Sequence, residues 1–153
     1  MEEQRLIDDE RITSYGRLFE AHARLTHLLG KELEGAVGLP LPWYGVLLHL
    51  GRSPGGYRPM GELIAATAFT SGGVTRLVDR MEQAGLVERR PCPTDRRVQY
   101  VGLTDRGWGT PQHATEVHLQ GIQEHMIARL EPEEVTRLDS ILAKLLAPEN
   151  GHG

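Results

Sequence analysis

Two adjacent pairs of arginines lie close together in the chain, between positions 89 and 97. The charged residues of this stretch are Arg89, Arg90, Asp95, Arg96 and Arg97. A guanidinium group is planar, permanently charged and rich in donors, so it suits phosphate oxygens and base edges. It also enters the narrow, electronegative minor groove of DNA. Asp95 is unfavourable near phosphate unless its carboxylate holds a neighbouring guanidinium or turn amides in place.

A second polar set follows one face of the segment 71–84. Its members are Ser71, Gly72, Gly73, Thr75, Arg76 and Arg80. An α-helix fits the major groove, where each base pair presents a distinct pattern of donors and acceptors. Two glycines in a first turn each cost roughly 1 kcal/mol against alanine, and they permit close approach to DNA. We predict that Arg76 contacts guanine or phosphate and that Arg80 bonds phosphate or an internal acid.

These side chains need a scaffold, and the middle of the chain has the pattern of one. Residues 60–67 and 71–84 predict two helices joined by residues 68–70, the second burying Val74, Leu77, Val78 and Met81. Thr70 or Ser71 is expected to cap this second helix, and Gly85 to end it. Residues 86–90 and 99–103 are strand-like, so residues 91–98 predict an exposed hairpin tip. Thr104 and Asp105 are expected to begin another helix.

Amphipathic helices flank this middle segment on both sides. We predict dimerisation helices over residues 10–36 and 111–147, around a DNA-binding lobe at residues 42–107. A single small lobe leaves the flanking apolar stripes unburied, so a two-fold homodimer is expected, with a larger monomeric bundle as the alternative. The predicted fold is mainly α with a small β-hairpin wing (α+β), a winged helix-turn-helix with N- and C-terminal dimerisation helices.

Charge distribution supports this organisation more than total charge does. The chain has 153 residues and a net charge of −4, yet residues 52–107 hold nine arginines and no lysine against six acids, a balance of +3. The 39% apolar content is enough for one core, and no apolar run approaches the ~20 residues of a membrane span. The acidic N-terminus does not resemble a secretory signal. We expect a cytoplasmic protein without cofactor, metal or membrane partner.

Three motifs in order resemble the multiple antibiotic resistance regulator (MarR) family. They are the run from Gly73 to Arg89, then Asp95-Arg96-Arg97, then Leu103-Thr104-Asp105-Arg106-Gly107. The resemblance implies a triangular dimer with interlocking terminal helices that binds an inverted repeat in double-stranded DNA. It also implies that Arg97 inserts into the minor groove, supported by Asp95 and Arg96.

The resemblance further implies a small aromatic or phenolic effector, bound between the dimer helices and the DNA-binding lobe. The residues placed there are His22, Thr26, Trp43, Tyr44 and Leu47, although such residues on apolar faces are more often ordinary core. Residues 107–111 depart from the family's continuous helix, because Pro111 forces a kink. The expected function is a homodimeric repressor of a pseudo-palindromic promoter site, released by this ligand.

Other functions remain open as alternatives. His113, His118 and His125 suggest a metal-responsive regulator, but their spacings of five and seven do not place two ligands on one helical turn. Cys92, the single cysteine, suggests a redox switch, but it has no second cysteine to pair with. A winged-helix interaction module that never binds DNA is the third alternative. No enzyme motif stands out, so catalysis is not expected.

Overall fold

The computed structural model describes residues 6–67 and 71–148, and the chain divides into two compact units. The central unit is Leu29–His118, and the terminal unit combines the residues before Leu29 with those after His118. The central unit therefore extends beyond the expected lobe of residues 42–107 on both sides.

Helices make up most of both units. In chain order they are α1 (Glu10–Val37), α2 (Leu41–Gly51), α3 (Met60–Ala66), α4 (Ser71–Gln83), α5 (Asp105–Gly109), α6 (Pro111–His125) and α7 (Pro132–Leu146). The helices predicted over residues 60–67 and 71–84 are confirmed within one residue, and α1 matches the range 10–36 within one residue. The range 111–147 holds two helices, α6 and α7. The connection over residues 68–70, the cap by Thr70 and the side chain of Ser71 lie outside the described residues.

Helix ends follow local chemistry. Gly38 after α1 and Gly85 after α4 have φ of 67° and 74°, the left-handed region that favours glycine. At the end of α4 the amide of Gly85 bonds the Glu82 carbonyl at 2.9 Å, and the amide of Leu86 bonds the Met81 carbonyl at 3.0 Å. This pair of bonds satisfies carbonyls that the helix leaves free, so the predicted stop at Gly85 is confirmed.

A three-stranded antiparallel sheet completes the central unit. Its strands are β1 (Tyr57–Pro59), β2 (Val87–Pro91) and β3 (Gln99–Leu103), in the order β1-β3-β2. The hairpin of β2 and β3 was predicted and is confirmed. The edge strand β1 was not predicted, because three residues that end on proline show no period-two pattern.

Apolar side chains from α2, α4 and the sheet form the core of the central unit. The predicted face of α4 is confirmed: Val74, Val78 and Met81 are fully buried and Leu77 nearly so. In α2, Val46, Leu47 and Leu50 are buried as expected, but Trp43 is only half-buried and Tyr44 takes its place in the core. Trp43 still packs against this core from a partly buried position.

The predicted irregularity at residues 107–111 separates two helices. Thr104 caps α5 by accepting the amide of Gly107 at 3.1 Å, α5 ends at Gly109, and Pro111 begins α6. Proline suits a first helical position, where its missing N–H has no intrahelical partner. Gly107 lies so close to the end of α4 that an added Cβ would sit 2.0 Å from the Leu86 carbonyl oxygen.

In the terminal unit, large apolar side chains are exposed on α1 and α7. They include Ile12, Tyr15, Phe19, Ile141 and Leu145, each at least 54% exposed. Helix α7 begins at Pro132, with a reciprocal capping box between Glu131 and Glu134. Among the described helices, none combines the length and apolarity that crossing a bilayer requires.

Candidate nucleic-acid interface

The solvent face of α4 has the polar residues that the sequence placed there. Gly72, Thr75, Arg76 and Arg80 are exposed, while Gly73 is half-buried. The opposite face carries the core residues, so the orientation of α4 is fixed by burial and its outer face stays accessible. The outer face offers two guanidinium groups and a hydroxyl to a ligand.

At the tip of the β2–β3 hairpin, which we call the wing, Arg97 is held by Asp95. The Arg97 amide and Nε donate to Asp95 Oδ1 at 3.0 and 3.1 Å, and Nη2 lies 3.4 Å from Oδ2. Hydrogen bonding to Arg97 lowers the pKa of the Asp95 carboxyl. The Arg97 side chain is nevertheless 91% exposed. The expectation that Asp95 holds a neighbouring guanidinium and a turn amide is thus confirmed.

The rest of the wing tip is a short hydrogen-bonded turn. The Val98 amide donates to the Asp95 carbonyl at 3.1 Å, and the Cys92 amide donates to the Val98 carbonyl at 3.0 Å. The Thr94 hydroxyl lies 3.3 Å from Cys92 Sγ and, with nearby backbone amides, lowers the pKa of the thiol. Arg96 is exposed and forms no ion pair with the described residues 6–67 and 71–148.

Arg89 at the base of the wing faces α4. Its Nη2 donates to Asp79 Oδ1 at 2.5 Å, and its Nη1 lies 3.3 Å from Glu82 Oε1. The Arg89 amide also donates to Glu82 Oε2 at 2.9 Å, and the side chain is only 19% exposed. Arg89 therefore joins β2 to α4 through both main chain and side chain.

Arg90 points to the other side of the sheet, as alternation along a strand requires. Its guanidinium stacks 4.3 Å from the centroid of the Tyr57 ring and pairs with Glu88. The Tyr57 hydroxyl donates to Glu88 Oε1 at 3.0 Å. The ring crosses Gly102 of the central strand, where an added Cβ would lie 1.9 Å from a ring carbon. Two adjacent arginines thus have different surroundings.

The expected effector residues divide between the two units. His22 and Thr26 belong to the terminal unit, where they lie 3.5 Å apart and are largely exposed. Trp43, Tyr44 and Leu47 belong to the central unit, and the Tyr44 hydroxyl lies 3.1 Å from the Thr115 hydroxyl.

A cleft of about 500 Å³ opens in the central unit between α2, α5 and α6. It is lined by Leu47, Leu48, Gly51, Arg52, Trp108, Gln112, Thr115 and Glu116. Of the expected effector residues, only Leu47 lines this cleft. The sequence did not predict this cleft, because its lining depends on the break between α5 and α6. Trp108 precedes that break and Gln112 follows it.

His113 and His118, two histidines of the metal-responsive alternative, have different partners in the structure. His113 is exposed and lies 3.4 Å from Glu116, whereas His118 packs against the Tyr44 ring with centroids 4.8 Å apart. His125 lies in the terminal unit. Burial lowers the pKa of His118. Each of these contacts is consistent with a structural role.

Two short helices, the second with a polar outer face, followed by an arginine-tipped hairpin on a three-stranded sheet, define a winged helix-turn-helix. The predicted fold class is thus confirmed. A model of the MarR family matches residues 37–98. A solved structure of AbsC, a MarR family transcriptional regulator from Streptomyces coelicolor, shares 32% identity at a TM-score of 0.81, covering 90% of this chain and 92% of AbsC. This chain belongs to the MarR family, which consists of transcription regulators and not of enzymes.

Further relatives agree. The regulator MhqR of Bacillus subtilis is 33% identical over 95 residues, which are 59% of this chain and 61% of MhqR. The first curated relatives match over only half to about three-fifths of their own length. Sco3205 of Streptomyces coelicolor, a MarR family regulator solved in complex with DNA, has a TM-score of 0.82 at 29% identity and covers 94% of this chain and 91% of that one.

Proposed function

We propose that this chain is a homodimeric, sequence-specific repressor that binds a pseudo-palindromic promoter site in double-stranded DNA. In this proposal α4 enters the major groove, with Thr75 and Arg76 at base edges, and the wing places Arg97 in the adjacent minor groove. Gly72 and Gly73 allow the backbone to approach, and Ser71 bonds a base or a phosphate. Arg80, Arg90 and Arg96 add positive charge near phosphates.

The main support for this proposal is that the Arg97 side chain is both exposed and held in one orientation. Its side chain is 91% exposed, yet Asp95 holds it through the amide, Nε and Nη2. An exposed arginine ordinarily loses conformational entropy when it binds, and a preorganised one loses less. An oriented, accessible guanidinium at a hairpin tip suits insertion into a groove. The structural relative Sco3205, solved in complex with DNA, supports DNA binding by this fold.

Exposed apolar residues of the terminal unit support the dimer. Tyr15, Phe19 and Leu145 are 64–69% exposed, and so many exposed large apolar side chains favour burial in a protein interface. A two-fold pair would bury them and would present two α4 helices about one helical turn (~34 Å) apart along the duplex.

The cleft between α2, α5 and α6 supports release by a small ligand. Its volume lies within the ~300–1,000 Å³ typical of ligand sites. The half-exposed Trp108 offers an aromatic face, and Arg52 and Glu116 offer one charge of each sign to polar substituents. The related regulator BpsR of Bordetella bronchiseptica, 22% identical, has its DNA binding regulated by 6-hydroxynicotinic acid. A small aromatic or phenolic molecule is the ligand class that we propose.

Mobility shift with DNA from upstream of this chain's own coding sequence tests the function. We expect a shifted band at dimer stoichiometry, protection of two half-sites in footprinting, and an affinity that falls steeply with salt because phosphate contacts release counterions. Equal, weak binding to the target and to random duplexes would favour the interaction-module alternative. Adding small aromatic or phenolic molecules to the complex tests release, and the variant Trp108→Ala serves as the control for the cleft.

A further inference from the structure

We propose that Arg89 is a positioning residue, which fixes the wing against α4 and does not itself bind DNA. This inference rests on the proposed function, because it concerns how the two DNA-reading elements are held. It assigns different roles to two arginines that the sequence placed together.

The geometry around Arg89 leaves little of it available to a phosphate. Its guanidinium has contacts to Asp79, to Glu82 and, at 3.4 Å, to the carbonyl oxygen of Thr75, all on α4. With 19% of the side chain exposed, most of its donors face the protein. The main-chain bond from the Arg89 amide to Glu82 remains even when the side chain is replaced.

Charge leads to the same conclusion. One guanidinium between two carboxylates makes a cluster with a net charge of −1, and Asp79 and Glu82 are 52% and 42% exposed. Such a cluster does not attract a phosphate. The guanidinium of Arg89 on β2 instead attracts the two carboxylates of α4. This attraction is stronger than that of one exposed ion pair because the three charges form a network.

The position of the cluster makes it effective. Arg89 lies about five residues before the hairpin tip, a distance of about 16 Å along an extended strand. A rotation of about 10° at Arg89 would therefore move the tip by about 3 Å. That displacement is enough to take Arg97 out of a groove that α4 has already located.

The first test measures operator affinity in variants that distinguish phosphate binding by Arg89 from positioning of the wing by Arg89. Asp79→Asn is the variant for which the two roles predict changes of opposite sign. If Arg89 bound phosphate, Asp79→Asn would free it and raise affinity, and Arg89→Lys would largely keep binding. A positioning role predicts that Asp79→Asn and Arg89→Gln each weaken binding about tenfold or more. It also predicts that the double variant binds little worse than either single variant. Arg89→Lys should bind as weakly as Arg89→Gln, since one ammonium group cannot bond two carboxylates in the way the planar guanidinium does.

The second test needs no DNA. Cys92 is the only cysteine and lies in the wing, so a nitroxide there reports the distance between the two wings of a dimer. We expect Arg89→Gln and Asp79→Asn to broaden this distance distribution, whereas Arg96→Gln, the matched wing control, leaves it unchanged. Asp79→Asn changes a surface carboxylate of a helix, so this variant keeps the test valid if Arg89→Gln does not fold.

The outcomes separate the two proposals. An unchanged distance distribution, or tighter binding by Asp79→Asn while Arg97→Ala still weakens binding, would overturn the positioning role and leave the proposed function intact. If no operator is bound at all, the proposed function fails, and the nitroxide distances alone decide whether Arg89 holds the wing.

Discussion

Replacing Arg97 by alanine tests the proposed DNA contact most directly. The side chain is 91% exposed and its partner Asp95 lies two residues away in the same turn, so no packing is lost. We therefore expect the melting temperature of the free protein to stay the same. A change in DNA affinity can then be attributed to the contact itself.

The size of the effect follows from the number of wings. A hydrogen bond to a charged group contributes about 1.5–3 kcal/mol net. At the lower value, two wings of a dimer lose about 3 kcal/mol together, on the order of 100-fold in the dissociation constant. If each guanidinium neutralises one phosphate charge, the slope of log K against log salt falls by about 1.8, or about 0.9 per wing.

Fluorescence anisotropy over a series of salt concentrations measures both quantities, and the chain supplies a matched control. Arg11 forms the same arrangement with Asp9, its amide and Nε donating to Oδ1 at 2.8 and 2.9 Å, and its side chain is 89% exposed. Arg11→Ala removes an equal charge and an equivalent ion pair from the terminal unit. Equal losses for Arg97→Ala and Arg11→Ala would show that only total charge matters and would refute the wing contact.

Two further predictions concern the stability of the central unit. Gly107→Ala should lower the free energy of unfolding by roughly 1–3 kcal/mol in urea titration, because the added methyl meets the Leu86 carbonyl oxygen at 2.0 Å. Gly109→Ala, with nothing within 4 Å of the new methyl, is the control, and equal effects would contradict the clash. Burial holds the pKa of His118 below its ordinary 6.5, so folding disfavours its protonation, and stability should fall as the pH drops through 6.5. His118→Gln should reduce this dependence below about pH 6.5, leaving the part expected from His49, whose pKa burial also lowers. An unchanged slope would contradict the assignment.

Much of this fold is determined locally, which explains why the sequence predicts it. Apolar residues at helical spacing predicted α4 and its buried face, and the stops at Gly38 and Gly85 follow from glycine's access to positive φ. The Asp95–Arg97 contact spans two residues, so it could also be expected from the sequence. Boundaries at Thr104 and Pro132 likewise depend on side chains within one helical turn.

Other features depend on residues far apart in the chain, and the sequence gives little sign of them. The strand β1 exists because Tyr57 pairs with Gly102, forty-five positions later. The cleft depends on where α5 ends and how α6 lies beside α2. The expected effector residues belong to two different units, His22 and Thr26 to one and Trp43, Tyr44 and Leu47 to the other, and nothing local in the sequence marks that division.

The clearest division is between Arg89 and Arg90. From the sequence alone they are two equivalent basic residues on a strand, and period-two alternation says only that they face opposite sides. Which side holds the carboxylates of α4 and which holds the Tyr57 ring depends on how the sheet packs against the helix. Composition and local spacing thus determined that this chain carries a recognition helix and a charged hairpin. Tertiary packing decided which charges are neutralised internally, because ion pairing depends on distance in space and not on distance along the chain.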